Sequence, residues 1–181
     1  MGLNALMDKE LVIALAKAYN DYILEDCQLA PDRLKPIALI PLADVNEAVR
    51  EMERCWERGF IGFTVAPSVP VPHPDAPGAY PNIALPRPIS SPEFHPIFAK
   101  AAELGAGLGI HGAGPGMYMP GGIYDFTESF LINHTFGHRN QMQLALASCV
   151  FDGIFERFPT LRIGFLQGSC GWVPDLVHAF P

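Results

Sequence analysis

Apolar residues along this chain fall into two alternating rhythms, one of helical spacing and one of short unbroken runs. From about Asp8 to Gln28 the helical spacing holds. Leu11, Val12, Ala14, Leu15, Ala18, Tyr19, Tyr22, Ile23 and Cys27 make a wide face, and Asp8 and Glu10 stand where a helix N-terminus favours negative charge. Pro31-Asp32 breaks the pattern, and Leu34 to Leu42 reads as a first strand. Asp44 is placed to cap a second helix lined by Val45, Ala48, Val49, Met52 and Trp56. Glu47 stands in the reciprocal capping-box position, and Gly59 supplies a left-handed stop. Phe60 to Ala66 reads as the second strand. Ser91-Pro92-Glu93 opens a third helix, with proline at its first position and Phe94, Phe98, Ala101, Ala102 and Leu104 facing inward. The small, apolar run from Leu104 contains the third strand, which ends at His111. A fourth helix spans about Asn140 to Phe158, and Pro159 ends it. Arg162 to Leu166 is the fourth strand, closed by Gln167-Gly168, and a short last helix starts near Trp172 or Pro174.

Strands alternating with helices predict a parallel sheet wound with one hand. A flavodoxin-like open sheet and part of a (β/α)8 barrel both fit this order. No GxGxxG or GxxxxGK[ST] follows a strand, so the nucleotide-binding versions lack support. Two connections are long. One holds Pro67, Pro70, Pro72, Pro74, Pro77, Pro81, Pro86 and Pro88; the other runs from Gly112 to about His138. The proline-rich one reads either as a disordered segment or as a lid or binding loop, the commoner use of long loops in compact domains.

Composition narrows the class. A chain of 181 residues with 49% hydrophobic and 17% charged residues has material for one domain with a real core. A formal net charge of −7 argues against a nucleic-acid partner. Cys27, Cys55, Cys149 and Cys170 are scattered and suit a reduced, cytoplasmic protein rather than a disulfide framework. No signal-peptide pattern opens the sequence, and no apolar run approaches the roughly 20 residues of a bilayer span, so no membrane partner is expected.

Among the polar residues His111 is best placed for chemistry. It closes a buried strand, and in α/β barrels catalytic groups sit at the C-terminal strand ends. It reads as a metal ligand or an acid/base group, against a histidine that merely bonds the next loop. Gly112, Gly114 and Gly116 follow it and let backbone approach a substrate closely. His134 and His138 are spaced i, i+4, which on a helix places both on one face. Thr135 stands where HExxH would need its base, and Gly137 argues against a continuous helix, so the pair either lines a site or packs a loop. Gln167 ends the fourth strand as His111 ends the third, and reads as a substrate-holding amide or as a residue bonding the next turn. His73, His95 and His178 read as surface or capping residues. Arg162, at the opposite strand end, reads as structural, and Trp172 with Pro174 as packing at a barrel rim.

Ordered pieces along nearly the whole chain then point one way. They are Ala18-Tyr19-Asn20-Asp21, Pro31-Asp32-Arg33-Leu34-Lys35, Ala48-Val49-Arg50-Glu51-Met52, Arg58-Gly59-Phe60-Ile61-Gly62, Gly109-Ile110-His111, His134-Thr135-Phe136-Gly137-His138, Gly153 to Arg162, and Gly171-Trp172-Val173-Pro174. Together they resemble the amidohydrolase-related family, which includes aminocarboxymuconate-semialdehyde decarboxylase and the non-oxidative aromatic decarboxylases. The resemblance implies a (β/α)8 barrel holding one divalent metal ion, zinc or manganese. The family pattern has His-x-His or Glu-x-His on the first strand, a histidine on the fifth and an aspartate on the eighth. Only the fifth-strand histidine has a counterpart, at His111. The other ligands are expected before Met1 and after Pro181, which makes residues 1–181 a single domain incomplete at both ends: a partial TIM barrel of about four parallel strands with flanking helices. Many relatives carry glutamate where Gln167 stands. The resemblance thus implies a metal-dependent decarboxylase or hydrolase for a small carboxylate or aromatic substrate, a homo-oligomer at full length. His111 would be its metal ligand, His138 and His134 its catalytic groups, and Gln167 its substrate-binding residue. The chain alone would be inactive. The rival reading is a non-catalytic truncated chain or interaction subunit, because one ligand cannot build a catalytic zinc site.

Overall fold

The computed structural model describes residues 8–74, 78, 84–112 and 129–179. The first helix, α1 (Lys9–Gln28), begins at Asp8, whose carboxylate accepts the Leu11 N–H. Strand β1 (Ile37–Leu39) leads to α2 (Val45–Glu57), capped by Asp44, which accepts the N–H groups of Asn46 and Glu47 at 2.9 and 3.0 Å. Glu47 turns its own carboxylate to Lys17 and Arg50, so the cap works in one direction only. Gly59, at φ +95°, makes the expected stop. Then come β2 (Gly62–Val65), β3 (Ser68–Pro72), β4 (Ala84–Pro88), a 3₁₀ turn (Pro92–Phe94), α3 (His95–Glu103) and β5 (Gly107–His111). The described chain ends with α4 (Phe130–Phe151), α5 (Ile154–Arg157), β6 (Arg162–Leu166) and α6 (Val173–Ala179).

Strands β1, β2, β5 and β6 form one sheet in that order, and every pair is parallel. Burial alternates along them. Ala38, Phe63, Val65, Leu108 and Ile110 are buried in one cluster with Met52 and Cys55 of α2, Ile97, Phe98 and Ala101 of α3, and Met142, Ala145 and Cys149 of α4. Ile37, Thr64, Gly109, His111 and Leu166 belong to the other face and stay partly or largely open. A doubly wound sheet covers both faces with helices; here one face is covered, as in a (β/α)8 barrel. The fold is therefore a four-stranded arc of such a barrel, and the open face is its interior.

That interior is floored with glycine. In register, Gly62 pairs with Gly107 and Gly107 with Arg162; Thr64 pairs with Gly109 and Gly109 with Gly164. A Cβ on Gly62 would stand 2.9 Å from the Gly107 carbonyl oxygen, and one on Gly109 would stand 2.8 Å from Leu166 Cδ1. At Gly62 the obstacle is backbone, and at Gly109 it is the end of the Leu166 side chain, while a Cβ on Gly107 would meet open space.

Three elements differ from the sequence expectation. The proline-rich connection contains an antiparallel ribbon, β3 with β4, in which Pro70 faces Pro86. Proline donates no hydrogen bond, and a two-stranded ribbon has outward edges where none is needed. Helix α4 starts at Phe130 rather than near Asn140 and runs unbroken through Gly137. It ends at Asp152, because Gly153 adopts φ +70° and turns the chain into α5 before Pro159 is reached. The first strand spans three residues, fewer than the apolar run suggested.

A buried polar knot fixes α1 to the sheet edge. Leu39 N–H donates to Asn20 Oδ1 at 2.8 Å, and Asn20 Nδ2 donates to Leu39 O at 3.0 Å and to Glu51 Oε1 at 2.8 Å. On its other side β1 pairs with β2, as in the Ile40 N–H bond to Thr64 O. The Asn20 amide therefore satisfies both peptide groups of Leu39, which β2 does not meet. Glu51 also takes two bonds at 2.7 Å from Arg54, and one from the Cys55 thiol. Burial pushes the Glu51 carboxyl pKa up, but the bonds from Arg54, Asn20 and Cys55 outweigh it and hold it below the ordinary glutamate range. All four cysteines are free, and no helix among the described residues is long and apolar enough to cross a membrane.

Two outcomes follow from this knot. Asn20→Ala leaves the N–H and C=O of Leu39 without their amide partner and removes one of the bonds to Glu51 Oε1, which keeps those from Arg54 and Cys55; it should lower stability by about 2–4 kcal/mol in urea unfolding, and a loss within error of zero would show that water replaces the amide. Glu51, with its pKa depressed on folding, contributes fully above the unfolded value of about 4.3, and the contribution fades as pH falls through the lower folded value. The stability gap between wild type and Glu51→Gln should therefore be widest at neutral pH and close steadily in acid. A gap that stays constant down to about pH 3 would contradict the assignment.

Candidate functional site at the end of the third core strand

The site is built outward from the last residue of β5. His111 Nδ1 lies 2.7 Å from the carbonyl oxygen of Gly112. A carbonyl can only accept, so Nδ1 carries the hydrogen and Nε2 keeps its lone pair in the neutral ring. This backbone bond is the usual way a protein orients a metal-binding imidazole.

Gly112 then decides how near α4 can come. A Cβ at this position would stand 2.5 Å from His138 Nδ1 and 2.8 Å from Gln141 Oε1. Only a residue without a side chain lets the helix rest on the strand end. His138 and Gln141, one helical turn apart, are each 5% exposed. The His138 ring stands edge-on to His111 with centroids 5.9 Å apart, and 4.7 Å from the ring of His134. His134 is exposed and lies against Phe130. Three imidazoles thus form a row from the strand end to the surface. Among the described residues the buried Nδ1 of His138 has no hydrogen-bond partner. Burial, followed by the neighbouring His134 and His111, lowers the His138 pKa and favours the neutral ring, which donates at one nitrogen and accepts at the other.

The i, i+4 spacing of His134 and His138 therefore does place both on one helical face, and the helix is continuous despite Gly137. Gln167 falls one residue beyond Leu166, the register partner of His111. It flanks the strand end as expected, but in left-handed backbone at φ 61° and exposed; the ring that meets His111 is that of His138. The turn after Gln167 is clamped to α4. Trp172 is buried and its indole N–H donates to Gly168 O at 2.6 Å, while a Cβ on Gly168 would stand 2.6 Å from Met142 Cβ. Trp172 thus packs the rim. Arg162 donates to Gly105 O at the opposite strand end, a structural role. His95 contacts Ser90 O and packs edge-on against Phe158; His73 follows β3, and His178 is exposed on α6. Gly114 and Gly116 lie outside the described residues.

One participant, Gln141, is absent from the sequence reading, and another, Gly112, has a different part from the one expected. Gln141 carried a signal, since it lies three residues after His138 and so shares its face. Gly112 was read as clearance for a substrate, whereas the clearance admits the helix. Among the described residues no three His, Cys, Asp or Glu side chains converge as a metal set.

Comparison with known proteins bears on the family and the fold. Gamma-resorcylate decarboxylase of Rhodococcus jostii is 27% identical over 166 residues, covering 90% of this chain and 47% of that protein. The 2-amino-3-carboxymuconate-6-semialdehyde decarboxylase of Dictyostelium discoideum is 26% identical over 86% of this chain and 38% of its own length. The crystal structure of a dihydroxybenzoic acid decarboxylase from a Polaromonas species, with bound manganese and the inhibitor 2-nitroresorcinol, superimposes with a TM-score of 0.69 at 24% identity. The match covers 86% of this chain and 44% of that one. The chain thus spans about half the length of these relatives or less. The sequence pattern of the amidohydrolase family matches residues 1–179, and the chain belongs to that family.

Proposed function

We propose that this chain is the arc of a metal-dependent, non-oxidative decarboxylase that carries the fifth-strand histidine, and that the whole enzyme acts on a small, flat, unsaturated or aromatic carboxylate. The observation that carries the reading is the His111 ring, fixed at the end of β5 by its Nδ1–H bond to Gly112 O with Nε2 left to coordinate. The names of the curated relatives favour loss of carbon dioxide over hydrolysis. A divalent ion, manganese or zinc, would supply positive charge to hold the substrate carboxylate and its neighbouring oxygen.

The roles of this chain's own residues follow from their places. His111 is a ligand. His138, buried beside it with an open Nδ1, holds a polar group of the substrate or the proton destined for the carbon that loses carbon dioxide. His134 joins that ring to solvent, and Gln167 steadies the substrate from the neighbouring strand end. In the reaction the bond to the carboxylate carbon breaks, its electrons stay on the substrate carbon, and a proton takes the vacated place. The absence of a converging ligand set among the described residues supports one restriction: the chain alone is a weak metal binder without turnover.

The test is a paired measurement. Calorimetry of the 181-residue chain with zinc and manganese should show weak binding, and no carbon dioxide should be released from 2,6-dihydroxybenzoate. A longer protein carrying this segment inside a complete barrel should turn over, and His111→Ala in it should lower kcat by about 100-fold or more. Tight one-to-one binding by the short chain that is lost on His111→Ala would show a complete site within it. An undiminished rate in the long His111→Ala variant would remove His111 from the chemistry.

A further inference from the structure

Between the ribbon and α4 lies a half-open cavity of about 270 Å³. Its ribbon wall includes Ser68, Pro86 and Pro88; its helix wall includes Leu144, Ala145 and Ser148. None of the three candidate-site histidines lines it, and none of its described lining side chains is ionisable. We propose that this cavity is a binding site for a neutral, ring-sized molecule that carries a hydroxyl donor, of which phenol is the simplest case. The inference stands apart from the proposed reaction, because it needs only these walls.

Size, charge and hydrogen bonding each narrow the occupant. An apolar protein cavity of roughly 150 Å³ accepts benzene, so this one has room for a ring with a substituent. A charged group seated against these walls would find no counter-charge among the described lining side chains, which disfavours carboxylates and ammonium ions. The prolines present apolar rings, carry no N–H, and have a fixed φ, so the ribbon wall is stiff and offers few donors. On the helix wall the Ser148 hydroxyl already donates to Ala145 O at 3.0 Å, which leaves its oxygen as an acceptor. A ligand that brings its own O–H therefore fits better than an ether or a bare ring. Gln141 links this cavity to the histidine row, since it lines the cavity and also lies against Gly112.

The experiment is an NMR titration of the full 181-residue chain with phenol, anisole and benzoate. Phenol should bind saturably at one site, with anisole about 2–10-fold weaker for want of the donor. Benzoate should be at least ~10-fold weaker because its charge stays unpaired. Ser148→Ala should erase the preference of phenol over anisole. Ser148→Phe and Ser68→Phe fill the space from opposite walls, and each should abolish binding with the thermal midpoint unchanged; if one of them fails to fold, the other and Ser148→Ala decide. His111→Ala should leave phenol affinity as it is. Equal binding of phenol and benzoate, phenol binding that survives the folded filling variants, or affinity lost on His111→Ala would each overturn the proposal. Because no outcome reads carbon dioxide release, failure here and failure of the decarboxylase reading are distinguishable.

Discussion

Four parallel strands in sequential order can be joined only by connections that cross back over the sheet, and a common hand sends every crossing to the same side. In this molecule that constraint sets nearly everything else. It buries Ala38, Phe63, Leu108 and Ile110 beneath three helices and leaves Thr64, Gly109 and His111 on the opposite face. A pleated strand sends alternate residues to opposite faces, so one choice of winding sorts core from interior residue by residue. It also gathers all the C-terminal strand ends on one rim. His111 owes its place there to register, since its partner Leu166 is the last residue of β6.

The open face explains why polar anchoring is concentrated where it is. At β1 the sheet meets α1, and the Asn20 amide takes both peptide groups of Leu39. A buried amide would be costly without a full set of partners, and Glu51 completes that set while Arg54 balances the carboxylate. The members share partners, so the loss of Asn20 leaves the Leu39 peptide groups without their amide while Glu51 keeps Arg54 and Cys55. At the other end of the strands Gly112 does the reverse, giving up a side chain so that two buried polar groups of α4 can come down onto β5.

Much of this was legible in the sequence. The βα rhythm, the Asp44 cap, the Gly59 stop, the last core strand and the place of His111 follow from periodicity and from residues with one strong conformational preference. The ribbon was not legible because proline density masks strands, and two facing prolines are tolerated only where both edges need no donor. The early start of α4 was hidden for a related reason. Gly137 lowers helix propensity by about 1 kcal/mol, but packing overrides so small a term: Gly137 is buried, and the helix through it seats His138 and Gln141 on the strand end. The same residue type gave the opposite result at Gly153, where a positive φ ends the helix. Propensity was equal at the two positions; burial against a neighbour was the difference, and a single sequence does not display it.

The candidate site follows the same division. What a strand end fixes, the sequence could reveal: one imidazole, its orientation by the next carbonyl, and a neighbouring amide at Gln167. What depends on two elements meeting, it could not: the edge-on contact of His111 with His138, the unpartnered Nδ1, and the clamp of Trp172 and Gly168 on α4. A barrel of this type assembles its chemistry from several strand ends at once, and each βα unit brings one or two groups. Four units bring an imidazole at one strand end, a buried imidazole beside it and an amide just past the next strand. The first of these is already oriented, because the bond from its Nδ1–H to Gly112 O leaves the lone pair on Nε2, the tautomer a metal-binding imidazole needs.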